Sequence, residues 1–427
     1  MSKNDSGVID RATRVVWIIN DHASVPQKDS SKGRHWHLAQ ALSAGGWNVT
    51  LFCGSTLHPS GLDSQLLRFK ASNLARVDIG LAKGLIIKTV PYRSGELMRV
   101  VSMIAFGWRT LRAGIREKGS KPRVIIGSTV HPLAALTGWV LSRFHRAIFV
   151  YEVRDLWPET LVDLGVLREQ GLADRALGSI NLFLARRAKA IISPLSGVGR
   201  FYAERGVVRP FAWLPNGVDS NKTYPTTLSR AESKTRFVLG YVGSTARIYA
   251  WEGVAKAFAE ASASLREFRL ELHLIGSGSE TQFLKHLLTR FGLADRLTDF
   301  GPQKEADIAD LLFNVDALIL PHRNLPTFQY GTSPVKLSHY INARKPILYS
   351  SADETNWLGD LNLGFSTDWE NPDASAGAIK RMTRLVESER IEISKNATRA
   401  SAQLSWEKIG RDLSDFLLTN VIEDQTG

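Results

Sequence analysis

The chain has 427 residues, 44% apolar and 22% charged, which excludes a mostly disordered protein and suggests two or three domains at ~150 residues each. The formal net charge of +12 is uneven: residues 1–217 hold 30 Lys and Arg against 15 Asp and Glu, and residues 218–427 hold 24 against 27. A basic half calls for an anionic partner, whether nucleic acid, a phosphorylated substrate or an anionic membrane.

Met1–Arg14 is polar and lacks the apolar stretch of a signal peptide, and no run approaches the ~18 apolar residues of a membrane span. The one cysteine, Cys53, excludes an intramolecular disulfide and a cysteine-built metal site, and it suits a reducing compartment. The expectation is a cytoplasmic protein with loose ends at residues 1–12 and 423–427.

Continuous apolar runs then alternate with helical patterns. Strands are expected at Val15–Ile19, Val49–Cys53, Leu85–Val90, Val124–Ile126, Ile148–Tyr151, Ala190–Ser193 and Ala212–Leu214, with a helix over Arg34–Ala44. Residues 97–115 repeat Leu97, Val101, Ile104, Trp108, Leu111 and Ile115 at helical spacing, flanked by Arg99, Arg109, Arg112 and Arg116. The favoured reading buries that stripe against the sheet; the alternative lays it on an anionic membrane. After the linker-like stretch Asn216–Glu232 the pattern restarts. Strands are expected at Phe237–Tyr241, Leu270–Ile275, Leu297–Phe300, Ala317–Leu320 and Ile347–Tyr349, and helices at Gly253–Leu265 and Glu280–Phe291. Alternation of this kind argues an α/β protein with two doubly wound parallel sheets. Ligands of such sheets bind at the carboxyl ends of the strands, which points to a cleft between the domains.

Several segments fall at those strand ends. Gly243 with Ser244, and Gly276 with Gly278, are either tight turns or places where backbone N–H groups approach phosphate. Ser333 is placed to cap a helix beginning at Pro334, with Lys336 and His339 in its first turns; this is either a diphosphate-binding set or a capped helix with a solvated lysine. His131 follows the Val124–Ile126 strand and is either a cleft residue or a structural histidine. Glu152, Arg154, Asp155 and Glu159 follow another strand, as cleft charges or as a structural pair. His35 and His37 lack a third ligand and read as structural.

The chain resembles glycosyltransferase family 4, of GT-B fold, roughly from Val15 to Trp406. The strings Gly33-Arg-His-Trp-His-Leu-Ala39, Glu152-Val-Arg-Asp-Leu-Trp-Pro-Glu159, Pro215-Asn-Gly-Val-Asp219 and Tyr330-Gly-Thr-Ser-Pro-Val-Lys-Leu337 carry the resemblance. More narrowly it is similar to the bacterial O-antigen and capsule branch typified by the L-N-acetylfucosamine transferase. The resemblance implies an acceptor-binding domain over 14–217, a nucleotide-sugar-binding domain over 236–405, and a C-terminal helix over 406–422 that returns to the first domain. It implies retaining transfer from a nucleotide diphosphate donor, expected to be a UDP-sugar and an N-acetylated amino sugar, without metal or other cofactor. His131 matches a histidine near the donor sugar. Gly243 and Ser244 match a first diphosphate loop, and Ser333, Pro334 and Lys336 a second. Asp155 or Glu152 is the expected acceptor base. The acceptor is expected to be lipid-linked by polyprenyl diphosphate or a glycan, the protein peripheral on the inner face of the plasma membrane, and nucleic acid no partner.

Two pairs of positions depart from the family. Gly331 and His339 stand where it has a pair of glutamates, and Ser244 and Glu252 where it has an arginine and a lysine; Arg247 and Lys336 are candidates to restore the positive charge. A nucleotide-sugar epimerase of the same architecture and a catalytically weak sugar-nucleotide-binding assembly protein remain alternatives.

Overall fold

The computed structural model describes residues 14–23, 33–57, 62–63, 73–92, 96–129, 131–222, 224 and 235–423. The expected loose ends at 1–12 and 423–427, apart from Glu423, and most of the linker lie outside the described residues.

The first domain contains β1 (Val15–Ile19), α1 (Arg34–Ala44), β2 (Asn48–Gly54), β3 (Thr56–Leu57), β4 (Leu62–Asp63), β5 (Leu74–Ile79), β6 (Ala82–Ile87) and α2 (Glu96–Arg116). It continues with β7 (Val124–Thr129), α3 (Pro132–His145), β8 (Ile148–Val153), α4 (Glu159–Asp163), α5 (Leu172–Arg187), β9 (Ala190–Ser193), α6 (Val198–Ala203) and β10 (Phe211–Trp213). Eight strands form one sheet in the order β10-β9-β8-β7-β1-β2-β6-β5. Continuous apolar runs let β1 and β7 bury both faces. Val16 and Ile18 pack with Leu38 and Leu42 of α1, while Trp17 and Ile19 pack with Phe106 of α2 and Leu141 of α3.

The second domain runs β11 (Arg236–Val242), α7 (Trp251–Ser264), β12 (Arg269–Ile275), α8 (Thr281–Arg290), β13 (Leu297–Gly301), α9 (Ile308–Phe313), β14 (Ala317–Leu320) and α10 (Leu337–Ala343). Then come β15 (Ile347–Ser350), α11 (Trp357–Asp360), β16 (Gly364–Thr367), α12 (Pro372–Thr383) and α13 (Glu387–Gln403). Its parallel sheet has the order β13-β12-β11-β14-β15-β16. The last helix, α14 (Trp406–Leu417), is capped by Ser405, whose Oγ accepts from Lys408 N at 3.2 Å. Trp406, Ile409, Leu413 and Leu417 complete the core of the first domain beside α1. The ring of His37 stacks on Trp406 at 4.6 Å.

Three expectations need correction. The first sheet is not wholly parallel, because β5 pairs antiparallel with β6 at its edge. The helix expected from Pro334 begins at Leu337. The apolar stripe of α2 is not buried: Leu97 is 75% and Trp108 61% exposed, and Val101, Ile104 and Ile115 are exposed too. The opposite face, with Ser102, Phe106 and Thr110, packs inward. Small residues explain the choice, since a Cβ at Gly107 would stand 3.2 Å from Thr137 Oγ1 and one at Gly114 2.7 Å from Leu141. Of the flanking arginines, Arg112 and Arg116 are exposed, Arg99 is half-buried, and Arg109 donates to the Lys88 carbonyl.

The α1–α14 contact is equally tight. A Cβ at Gly410 would stand 2.2 Å from the Ala41 Cβ. Gly410→Leu is therefore expected to pry α14 from α1 and cost about 1–3 kcal/mol, read as a lower midpoint in urea unfolding.

Candidate functional site

In the second domain the site starts where β11 and β12 end. Gly243 has φ +114° and Gly276 φ +130°, conformations that favour glycine. The two loops touch backbone to backbone: a Cβ at Gly276 would stand 2.3 Å from Gly243 O, and one at Gly278 2.7 Å from Thr245 N. The amides of Gly243, Gly276 and Gly278 are spent on Ile275 O, Gly301 O and Thr281 Oγ1. The glycines therefore provide close approach rather than donors, and Ser244 is exposed beside them. Arg247 is exposed and pairs with Glu280 at 3.5 Å.

Lys336 lies under that first loop. A Cβ at Gly243 would stand 3.3 Å from its Nζ. The ammonium sits over the rings of Tyr241 and Tyr249, 3.8 and 4.1 Å from their centroids, and donates to the Tyr241 hydroxyl. Among the described residues no carboxylate pairs with it, and desolvation pushes it well below the ordinary lysine value. The same burial pushes the Tyr249 phenol up to about 12 and His322, stacked on Tyr249, down to about 3, with Lys336 adding to the His322 shift. Tyr340 fixes the helix that follows, because its hydroxyl donates to Ile319 O and accepts from Val242 N.

Ser333 does not cap a helix. Its Oγ accepts from Asn216 N at 2.8 Å, and its carbonyl accepts from the Asn216 side chain at 2.5 Å, across the domain boundary. Pro334 sets the turn whose carbonyl receives Leu337 N. His339 is half-buried, with Nδ1 2.7 Å from the Tyr224 hydroxyl and Nε2 3.7 Å from Glu305. Burial pushes this imidazole down, against the pull of Glu305. Glu305 also takes the Lys222 ammonium at 2.5 Å.

In the first domain Glu152 does not stand free in the cleft. It is buried between Arg34 Nε at 2.9 Å and His35 Nε2 at 2.5 Å. Burial pushes the carboxyl up, but His35 and Arg34 outweigh it and hold it well below the usual carboxylate range. Burial pushes His35 down, against the pull of Glu152, and Arg34 supplies a counter-charge to the carboxylate. A carboxylate held this way is a poor base. His131 is buried as well. As N-cap of α3 its Nδ1 accepts from Ala134 N, and its Nε2 donates to Asp21 at 3.0 Å. Asp21, like Glu305, was missed in the sequence; its signal was only a polar triplet, Asn20-Asp21-His22, ending the β1 run.

Asp155 is the candidate carboxylate that faces open space. With Arg154 and Asn216 it lines a cavity of about 240 Å³ whose opposite wall holds Tyr249, His322 and Ser333. Its side chain is exposed at the cavity mouth, and desolvation by the surrounding walls pushes its carboxyl up against the pull of Arg154. Among the described residues no group of three His, Cys, Asp or Glu could hold a metal. Removing the buried carboxylate, as in Glu152→Ala, leaves Arg34 unpaired and is expected to cost about 3–5 kcal/mol at neutral pH, read by chemical unfolding. Because Glu152 is held low, that contribution is present above the ordinary carboxylate range and is lost as pH falls through its depressed value.

Residues 34–217 match the glycosyl transferase 4-like domain. No curated protein matches the chain. Among solved structures, sucrose-phosphate synthase from Thermosynechococcus elongatus is similar with a TM-score of 0.69 at 18% identity, covering 95% of this chain and 98% of that one. HepE from Anabaena, in complex with UDP and glucose, has a TM-score of 0.62 at 16% identity, covering 95% and 100%. WaaG, a glycosyltransferase involved in lipopolysaccharide biosynthesis, has 0.60 at 13%, covering 95% and 100%. Residues 34–217 thus resemble the glycosyl transferase 4-like domain, and the chain as a whole has the GT-B architecture.

Proposed function

We propose that the protein is a retaining glycosyltransferase that moves a sugar from a nucleotide diphosphate donor, a UDP-sugar, to a lipid-linked or glycan acceptor in surface polysaccharide synthesis. The observation that carries this reading is Lys336, a desolvated ammonium with no acid beside it, under a glycine loop at the carboxyl end of the sheet. Cleavage of the anomeric bond puts negative charge on the leaving diphosphate, and Lys336 is placed to take it, with Arg247 at the loop's rim. A structure of similar fold holds UDP and glucose, which favours UDP as the donor nucleotide. An N-acetylated amino sugar rests on the sequence resemblance alone. Among the two candidate bases, the geometry favours Asp155, which opens on the cavity while Glu152 is buried between Arg34 and His35. His131 acts from behind, through the Asp21 pair that orients it.

The acceptor side is read as a membrane-facing surface. The exposed apolar stripe of α2 is bordered by Arg112 and Arg116, the combination that seats a helix on an anionic bilayer. No helix among the described residues is long and apolar enough to cross a membrane, so the association is peripheral in this reading.

Lys336→Ala should lower transfer roughly 100-fold while the melting temperature of the free protein holds, because the lost group acts on developing charge. Near-normal turnover would sink the phosphate assignment. A diphosphate that restores the Lys336 proton makes donor binding take up protons, so affinity should fall as pH rises above the lowered lysine value. Calorimetry in buffers of different ionisation enthalpy reads that uptake. For the membrane, Ile104→Glu with Trp108→Glu should abolish cosedimentation with anionic vesicles. Wild-type protein retained at 1 M salt, where the Debye length is about 3 Å, would show insertion of the stripe rather than charge attraction alone.

A further inference from the structure

The basic charge of the first domain collects at the edge of the sheet farthest from the cleft. β8, β9 and β10 run parallel, so Ile148, Ala190 and Phe211 begin at one edge, while Asp155, Leu195 and Asn216 follow the other. Six residues of β8 at ~3.3 Å each separate the two edges by about 20 Å. At the far edge, between the C-terminal ends of α3 and α5, lies a cavity of about 640 Å³ lined by Arg143, Arg186, Arg187, Lys189 and Arg209, with no carboxylate among its lining residues.

These cations are not all of one kind. Arg209 is structural, since it donates from Nε to Ala188 O at 2.9 Å and from Nη2 to Arg186 O at 2.7 Å, closing the last turn of α5. Arg187 lies over the Phe183 ring at 5.4 Å. Arg143, Arg186 and Arg187 are exposed, and among the described residues none forms an ion pair. A helix C-terminus favours a cation or two. It does not account for Arg143, Arg186 and Arg187, from the ends of two helices, converging on one concave space with no carboxylate among its lining residues. Mutual repulsion there is relieved by an anion.

Apolar side chains also stand near the cations: Val208 lines the cavity, and Phe144 follows Arg143 in α3. Phe144 at the end of α3 is 57% exposed and Val208 is 76% exposed. Phe144 adjoins His145, whose Nε2 lies 3.1 Å from Gly114 O of α2, next to the exposed Ile115. Cations inside and exposed apolar groups beside them match a phosphate attached to acyl chains better than a free anion. We propose that this cavity binds the phosphate headgroup of an acidic phospholipid and forms a second membrane contact, with the acyl chains along Phe144 and Val208. The proposal rests on the membrane-facing reading of α2 and is independent of the donor chemistry.

The test uses full-length protein carrying Arg143→Gln, Arg186→Gln and Arg187→Gln, with Arg209 retained so that α5 stays closed. Vesicles of phosphatidylcholine with phosphatidylglycerol should bind this variant roughly 100-fold more weakly than wild type, on the order of fivefold per lost charge. A control with the exposed Arg168, Arg175 and Arg266 changed to Gln removes the same charge away from both the cavity and α2 and should lose less. Equal losses in the two variants would mean a diffuse field and overturn the site. Calorimetry with short-chain phosphatidylglycerol, kept monomeric, should show saturable binding that the cavity variant loses. Inorganic phosphate binding as tightly as that lipid would overturn the lipid assignment in favour of a soluble anion. Should wild-type protein ignore vesicles altogether, the α2 reading fails, and loss or retention of the monomeric lipid signal still decides the cavity.

Discussion

One buried negative charge organises the meeting of the two domains. Glu152 ends β8 inside the protein, where an unpaired carboxylate is costly. Arg34 answers it from the start of α1, and the same guanidinium donates through Nη1 to Pro215 O at 2.8 Å. The next residue, Asn216, grips Ser333 with both backbone and side chain. A charge requirement in the first sheet is thereby passed to the loop that precedes α10. Asp155, three residues beyond Glu152, and His322 across the cavity take their separation from that linkage. The chain crosses back close by, where Val218 N donates to Leu404 O at 2.7 Å before Trp406 enters the first domain's core.

The site uses charge in opposite ways on its two sides. In the first domain acid and base are matched and buried, so Glu152 and His131 are fixed in place and spend their polar atoms on neighbours. In the second domain Lys336 is desolvated by aromatic rings and left without an acid. Its field is weakly screened, and an arriving anion meets little competition. The acidic second half thus needs few cations to hold a diphosphate in the proposed reading. The surplus of the basic half lies elsewhere, on α2 and at the far edge of the sheet.

Much of this was legible where a single segment carries the information. β1, α1, β9 and β14 form over the residues that their apolar runs or helical spacing indicated, because burial on both faces leaves a continuous pattern. β5 was invisible because its residues alternate weakly at an edge, with two of the six exposed and one buried. Periodicity revealed the stripe on α2 but not its direction. Which face turns inward was decided by Gly107 and Gly114, which let α3 come close, and not by hydrophobicity. The Ser333 cap failed for a tertiary reason: its hydroxyl meets Asn216, 117 residues away. Asp21 and Glu305 stayed hidden likewise, since their partners His131 and His339 are distant in sequence and no local motif joins them.

The packing of α2 also bears on how a lipid-linked acceptor would reach the cleft. Gly107 lies against Leu133 and Thr137, in the first two turns of α3, and Gly114 against Leu141. The two helices therefore run side by side in the same direction, and the part of α2 before Phe106 stands beyond the start of α3, on the cleft side. Its exposed Leu97, Met98, Val100, Val101 and Ile104 cover about 10 Å of helix at 1.5 Å per residue. Ile115 and Phe144 mark the other end, beside the arginine cavity. In the proposed reading a bilayer touching both ends lies along the strands rather than across them. The mouth of the cleft then opens at the membrane surface, where an acceptor diphosphate would be presented without leaving the lipid phase.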